Sequence, residues 1–253
     1  MSIKLKLLLS LGISLLAFQG GNSQNISAKE IVKHAYDRLE GKSNKSEMVM
    51  TIVRPAWKRT VSFKSWSKGK EFSIILITGP AKEKGQTFLK RKNEIWNWVP
   101  SISRLIKLPP SMMSQGWMGS DFSNDDLLKE SSIVDDYHHT LLGRETVEGM
   151  DCYKIRLVPK PGTPVVWGSI IKWISKKDYH QLKSEFFDED NYLVKTEIAS
   201  KIKYMDDRDI LTHYEIIPAN EKGNRTLVDL IMVKFDIPIQ DGFFSQQNMK
   251  TIR

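Results

Sequence analysis

Two periods of hydrophobicity divide this chain. Between Ser27 and Leu39 the apolar residues Ile31, Val32, Ala35, Tyr36 and Leu39 fall on one stripe at helical spacing. Ser27 and Glu30 form a capping-box pair at its start, and Gly41 stands where a helix would stop. From Ser46 the period changes to two. Met48, Met50 and Ile52 share one face of a strand, and in the next strand Trp57, Val61 and Phe63 alternate with Lys58, Thr60, Ser62 and Lys64. Phe72, Ile74 and Leu76 continue the pattern, with Ile75 and Ile77 on the reverse face. More strands are predicted over Thr87–Lys92, Glu94–Val99, Ile102–Leu108, Tyr137–Leu142, Cys152–Val158 and Gly168–Ser175. Gln181–Asp188, Tyr192–Ile202, Ile210–Pro218 and Arg225–Phe235 complete the set. Connectors such as Pro55-Ala56 and Lys68-Gly69-Lys70 have hairpin length, so sequential strands should run antiparallel.

The pattern breaks after Leu108. Pro109-Pro110 makes a stiff corner, and a loop rich in large apolar residues follows: Met112, Met113, Trp117, Met118 and Phe122. Ser123 and Asp126 are spaced as a capping pair for a short helix inside this loop. The predicted class is mainly β (α+β). A single strongly curved antiparallel sheet of about eleven strands curls into a barrel or half-barrel, its concave face covered by an N-terminal helix and a loop-helix lid. The inward-facing candidates are Met48, Met50, Ile52, Phe63, Phe72, Ile74, Leu76, Trp96 and Trp98. The same residues serve a filled core or a cavity, and a one-residue slip of register inverts the faces. Phe243, Phe244 and Met249 are expected to dock the C-terminal segment.

Composition changes this picture little, except at the N-terminus. Apolar residues make up 40% and charged residues 27% of 253, a globular balance large enough for one sizeable core. Lys4 and Lys6 precede an apolar run from Leu7 to Phe18 and a small-residue stretch, so residues 1–24 read as a cleaved signal peptide. Residues 25–253 read as one exported, periplasmic domain. A lone cysteine, Cys152, cannot staple the fold and reads as a small buried strand residue.

Candidate chemistry is sparse. The net charge of +8 fits anionic head groups or an acidic surface better than nucleic acid, given export and the lack of an exposed basic stacking strip, and it fits a plain solvated surface equally well. Asp136 and His138 would share a strand face, but His139 points away and no third ligand is evident, so no metal site is assigned. HExxH, GxSxG and a glycine-rich dinucleotide loop are all missing, and no cofactor or enzymatic activity is expected.

The segments Trp96-Asn97-Trp98-Val99-Pro100 and Gly119-Ser120-Asp121-Phe122-Ser123-Asn124-Asp125-Asp126-Leu127, set in this meander, resemble the outer-membrane lipoprotein-sorting proteins. These are the LolA-like periplasmic carriers, in the branch associated with RND-type exporters. The resemblance runs from about Ile26 to the C-terminus. It implies an open half-barrel that binds acyl chains in an apolar cavity, with Met112–Leu128 as part of the lid. The implied partners are the acyl chains of a lipoprotein or another lipid, with an inner-membrane transporter as donor and an outer-membrane acceptor. The chain would act as a monomeric, chaperone-like transport protein. The alternative is a non-carrier accessory subunit docked on an RND-type exporter, with its concave face filled.

Overall fold

The computed structural model describes residues 26–92, 94–129, 133–163 and 165–253, with only the backbone of 127–129. The expected signal peptide, residues 1–24, lies outside the described residues. The fold opens with α1 (Ala28–Glu40). Ser27 caps it, Glu30 returns the reciprocal bond to the Ser27 backbone at 2.8 Å, and Gly41 ends it at a φ of 63°.

The strands are β1 (Ser43–Arg54), β2 (Trp57–Lys68), β3 (Phe72–Gly79), β4 (Thr87–Arg91), β5 (Glu94–Val99) and β6 (Arg104–Lys107). After the loop come β7 (Tyr137–Val147), β8 (Met150–Pro159), β9 (Ser169–Ser175), β10 (Gln181–Phe187), β11 (Leu193–Met205), β12 (Arg208–Pro218) and β13 (Arg225–Phe235). All join one antiparallel sheet in the order β6-β5-β4-β3-β2-β1-β13-β12-β11-β10-β9-β8-β7. The half-barrel architecture follows, with thirteen strands where about eleven were expected.

The topology explains the position of the loop. Strands β1 to β6 step outward to one edge of the sheet, and β7 to β13 return from the other edge to pair with β1. The segment between β6 and β7 must therefore cross the open side of the curl. It carries a short helix, α2 (Asn124–Lys129), with Ser123 as its cap: the Asp126 amide donates to Ser123 Oγ at 3.1 Å, and the Ser123 amide donates to the Asp126 carboxylate at 2.7 Å.

The C-terminal segment, ending in α3 (Asn248–Thr251), covers the convex face. Phe244, Met249 and Ile252 are buried there against Trp66, Ile74, Leu76 and Leu89, and Phe243 packs beside them. The docking role expected of Phe243, Phe244 and Met249 holds. Cys152 is fully buried, and desolvation holds its thiol above the ordinary range.

Candidate ligand cavity

Two bodies share the concave face. At one end, α1 lays Ile31, Val32, Ala35 and Tyr36 on Tyr137, Ile155, Leu157, Ile170, Ile174 and Phe186 of β7 to β10. A fully buried aliphatic of this size contributes about 1.5–3 kcal/mol, so this stripe holds the helix down.

At the other end the loop fills the curl. Trp117 is buried and meets Phe63 and Phe88 edge-on, with ring centroids 5.6 and 5.4 Å away. Met50, Ile52, Val61, Ile75, Ile77, Ile216 and Val228 complete that cluster, with Met118 and Phe122 against it. The turn that presents Trp117 is tight: a Cβ on Gly116 would lie 2.5 Å from the Ser120 carbonyl oxygen.

Polar contacts pin this loop. Arg54 forks onto the Asp121 carboxylate with bonds of 3.0 and 3.2 Å, and the pair is almost entirely buried. Thr226 Oγ1 donates to the same carboxylate at 2.7 Å and accepts the Asp121 amide at 3.0 Å. The Met118 and Gly119 carbonyls accept from Arg59 and Arg54. Further along, Lys195 pairs with Asp126 in a second buried ion pair, and Trp167 Nε1 donates to Asp126 at 3.1 Å.

Between the two covers lies a cavity of about 320 Å³. That is within the size range of ligand sites, and far beyond the ~10–15 Å³ of probe space that admits one water. Its apolar wall includes Leu39 of α1, Met48 and Ile75, Phe122 of the loop, and Ile210, Leu211, Tyr214, Val228, Leu230 and Val233 of β12 and β13. A polar portion carries Asn44, Ser46, Ser65, Ser67, Ser73 and Lys90. His180 also lines it. Burial, and then the Arg38 charge, hold its imidazole below the ordinary range, against the weaker pull of Asp178 and Asp209.

The structure sorts the expected cavity residues into three groups. Met48 and Phe72 line the cavity, Phe72 at its rim with its ring also stacked on Phe244. Met50, Ile52 and Phe63 are on the concave face but lie under the Trp117 plug. Ile74, Leu76, Trp96 and Trp98 do not face the cavity; they lie on the convex side under the C-terminal segment. The pairing shows why. Ser46, Ser65, Ile75 and Phe88 form one row across β1 to β4, while Trp66, Ile74, Leu89 and Trp96 form the neighbouring row of opposite facing. Strand β3 is apolar on both faces, so its alternation carries no sign of which face is inward.

Of the loop residues, Trp117, Met118 and Phe122 face the concave surface. Met113 packs instead on Ile95 and Leu108, and Met112 contributes its carbonyl, which accepts from Asn124 at 2.9 Å. Sequence reasoning missed the serine row, although Asn44 and Ser46 are in phase with Met48 and Met50. Asp135 and His139 are engaged elsewhere, with Lys29 at 3.3 Å and with the Ile133 carbonyl at 2.8 Å. Among the described residues, no three His, Cys, Asp or Glu side chains are grouped to hold a metal, and no helix is long and apolar enough to cross a membrane.

A family model described as that of an uncharacterized protein matches residues 69–251. A DUF1329 family protein from Desulfovibrio piger superposes with a TM-score of 0.79 at 26% identity, over 88% of this chain and 98% of that one. A LolA superfamily protein from Nitrosomonas europaea gives a TM-score of 0.76 at 24% identity, over 88% of this chain and 99% of that one.

The chain belongs to the family of that model, and its fold is LolA-like.

A protein described as a putative outer membrane lipoprotein-sorting protein domain, from Vibrio parahaemolyticus, shares the LolA-like fold at a TM-score of 0.78 and 20% identity, over 88% of this chain and 98% of that one. No curated protein matches the sequence.

Proposed function

We propose that this LolA-like protein is a periplasmic carrier. It takes an acyl chain of a lipoprotein or lipid into its cavity and shields it from water on the way to the outer membrane. The carrying observation is the cavity of about 320 Å³ with a mostly apolar wall left between α1 and the Trp117 loop. Protein interiors are otherwise packed to the density of organic crystals, so a void of this size with a mostly apolar wall is a built feature. Each methylene buried there contributes about 0.8 kcal/mol, and ten would offset desorption from a membrane. Methionine and branched aliphatics on the wall suit chains of varied shape. Binding, not catalysis, is the role this wall supports. The donor is an inner-membrane transporter and the acceptor lies in the outer membrane, with the signal peptide providing export.

The test is native mass spectrometry, with lipid extraction, on protein secreted to a periplasm. Wild type should carry acyl lipid or a lipidated peptide. Met48→Trp, which fills the cavity without adding charge, should emerge folded and empty. A ligand-free wild type that also refuses a fluorescent acyl probe would instead support an accessory subunit of an exporter.

A further inference from the structure

The cavity is not uniformly apolar, and its polar part is arranged. Asn44, Ser67, Ser73 and Lys90 pair in turn across β1, β2, β3 and β4, so all four lie in one row on the concave face, and all four line the cavity. Ser46 and Ser65 form the start of the next row. Beyond them along β1 the wall turns apolar at Met48, which pairs with Leu230, and continues to Val228 and the loop's Phe122.

One buried side-chain atom in this patch lacks a partner. Ser46 is 2% exposed, lines the cavity, and its Oγ makes no hydrogen bond. A buried hydroxyl without a partner costs about 1–3 kcal/mol, and a protein that only needed a packed core would place alanine there. Its neighbours are already satisfied: Asn44 donates to the Glu40 carboxylate at 3.0 Å, and Ser67 donates to it at 3.3 Å. The row thus holds an acid at one end and Lys90 at the other, and the cavity's remaining charges, Arg38, Asp126 and Glu197, are also of both signs, so no single sign prevails to select an ion. The polar end is also nearest to solvent, since exposed Gly69 and half-buried Leu39 and Glu40 line the cavity there.

We infer that this patch is a subsite for the uncharged, oxygen-bearing head of an acyl ester or amide, with Ser46 Oγ donating to its carbonyl. The acyl tail then runs along Met48, Leu230 and Val228 toward Phe122. This rests on the carrier reading and adds to it a ligand class and an orientation. The same carbonyl chemistry occurs in a glycerolipid and in an acylated peptide.

Competition against a bound fluorescent acyl probe tests it, with monolauroylglycerol, laurate and dodecane as competitors of equal chain length. A lauroyl-dipeptide amide separates a peptide source from a lipid one. Monolauroylglycerol or the amide should displace the probe at about five- to tenfold lower concentration than dodecane, the worth of one or two hydrogen bonds. Ser46→Ala should abolish that preference and leave displacement by dodecane unchanged, with thermal unfolding confirming an intact fold. Equal displacement by all competitors, a preference for laurate, or an unaltered preference in Ser46→Ala overturns the head-group subsite alone. Failure of the probe and of every competitor to bind overturns the carrier reading beneath it.

Discussion

The two covers of the concave face are held by different forces. Helix α1 rests on an apolar stripe, with a capping box at its exposed start and hydrogen bonds from Asn44 and Ser67 to Glu40 at its end. The loop between β6 and β7 is the reverse. It drives Trp117 into the curl and is then bolted by Arg54–Asp121–Thr226 on one side and Lys195–Asp126–Trp167 on the other. Apolar contact is non-directional and tolerates small sliding. A buried ion pair does not, because separating its members leaves desolvated charge behind. This contrast predicts that the loop is the more firmly fixed cover and that the helix yields more readily to an incoming chain. From the apolar residues alone, Met112–Leu128 looks like the movable lid. The polar clamps argue for α1 in that part, and the variants below decide between the two.

The sharpest way to break this contrast is Asp121→Ala. It strands the Arg54 guanidinium, which is only 14% exposed, and removes the carboxylate that accepts from Thr226 Oγ1. Breaking a buried pair from one side costs about 3–5 kcal/mol, and for a chain of this length each kcal/mol lowers Tm by roughly 2–4 °C. Denaturant unfolding should register the loss, and Trp117 emission should shift to the red as the plug lifts. A cost below about 1 kcal/mol would mean the loop is held by its apolar contacts and is no more fixed than the helix.

How much of this was legible in the sequence follows the same division. The helix was, because a capping box, a stripe and a stop glycine all report on one local element. The strands were, because period two and short connectors are local too. Even Ser123 and Asp126 announced their cap. The facing of β3 to β5 was not legible, since Ile74, Ile75, Leu76 and Ile77 are apolar in both phases and Trp96 and Trp98 suit either face. Only the docking of Phe244 and Met249 on the convex side decides between them. The clamps were invisible for a related reason. Arg54 and Asp121 are far apart in the chain, and a lone arginine at a strand end looks like any solvated charge. The serine row looked like a weak, polar start to β1 until its pairing with Ser65, Ser67 and Ser73 was known.

A milder perturbation addresses the helix. Ser27→Ala removes the hydroxyl that the Glu30 amide donates to at 3.2 Å and leaves the buried stripe in place. Losing such a cap costs about 1 kcal/mol. If α1 is the yielding cover, stopped-flow release of a bound acyl probe should speed up in this variant although its melting temperature hardly moves. Release rates equal to wild type would return the gate to the loop.

The smallest effect tests the seam between cover and cavity. His180 follows β9, lines the cavity, and is kept neutral by burial and by Arg38 of α1. His139, near the other end of the helix, is held down chiefly by burial as well. For both, the folded imidazole takes its proton at lower pH than the unfolded one. Below the ordinary value of 6.5 the unfolded chain therefore binds more protons, so stability is complete above that pH and declines as pH falls through it toward the depressed values. Replacing His180 by Asn should flatten part of this acid slope in a series of denaturant titrations, with His139 left to supply the rest. Because Arg38 contributes to the depression, Arg38→Gln should also weaken the slope while keeping the histidine. A slope unchanged in both variants would mean that the Arg38 charge of α1 exerts no hold on the His180 imidazole across the cavity.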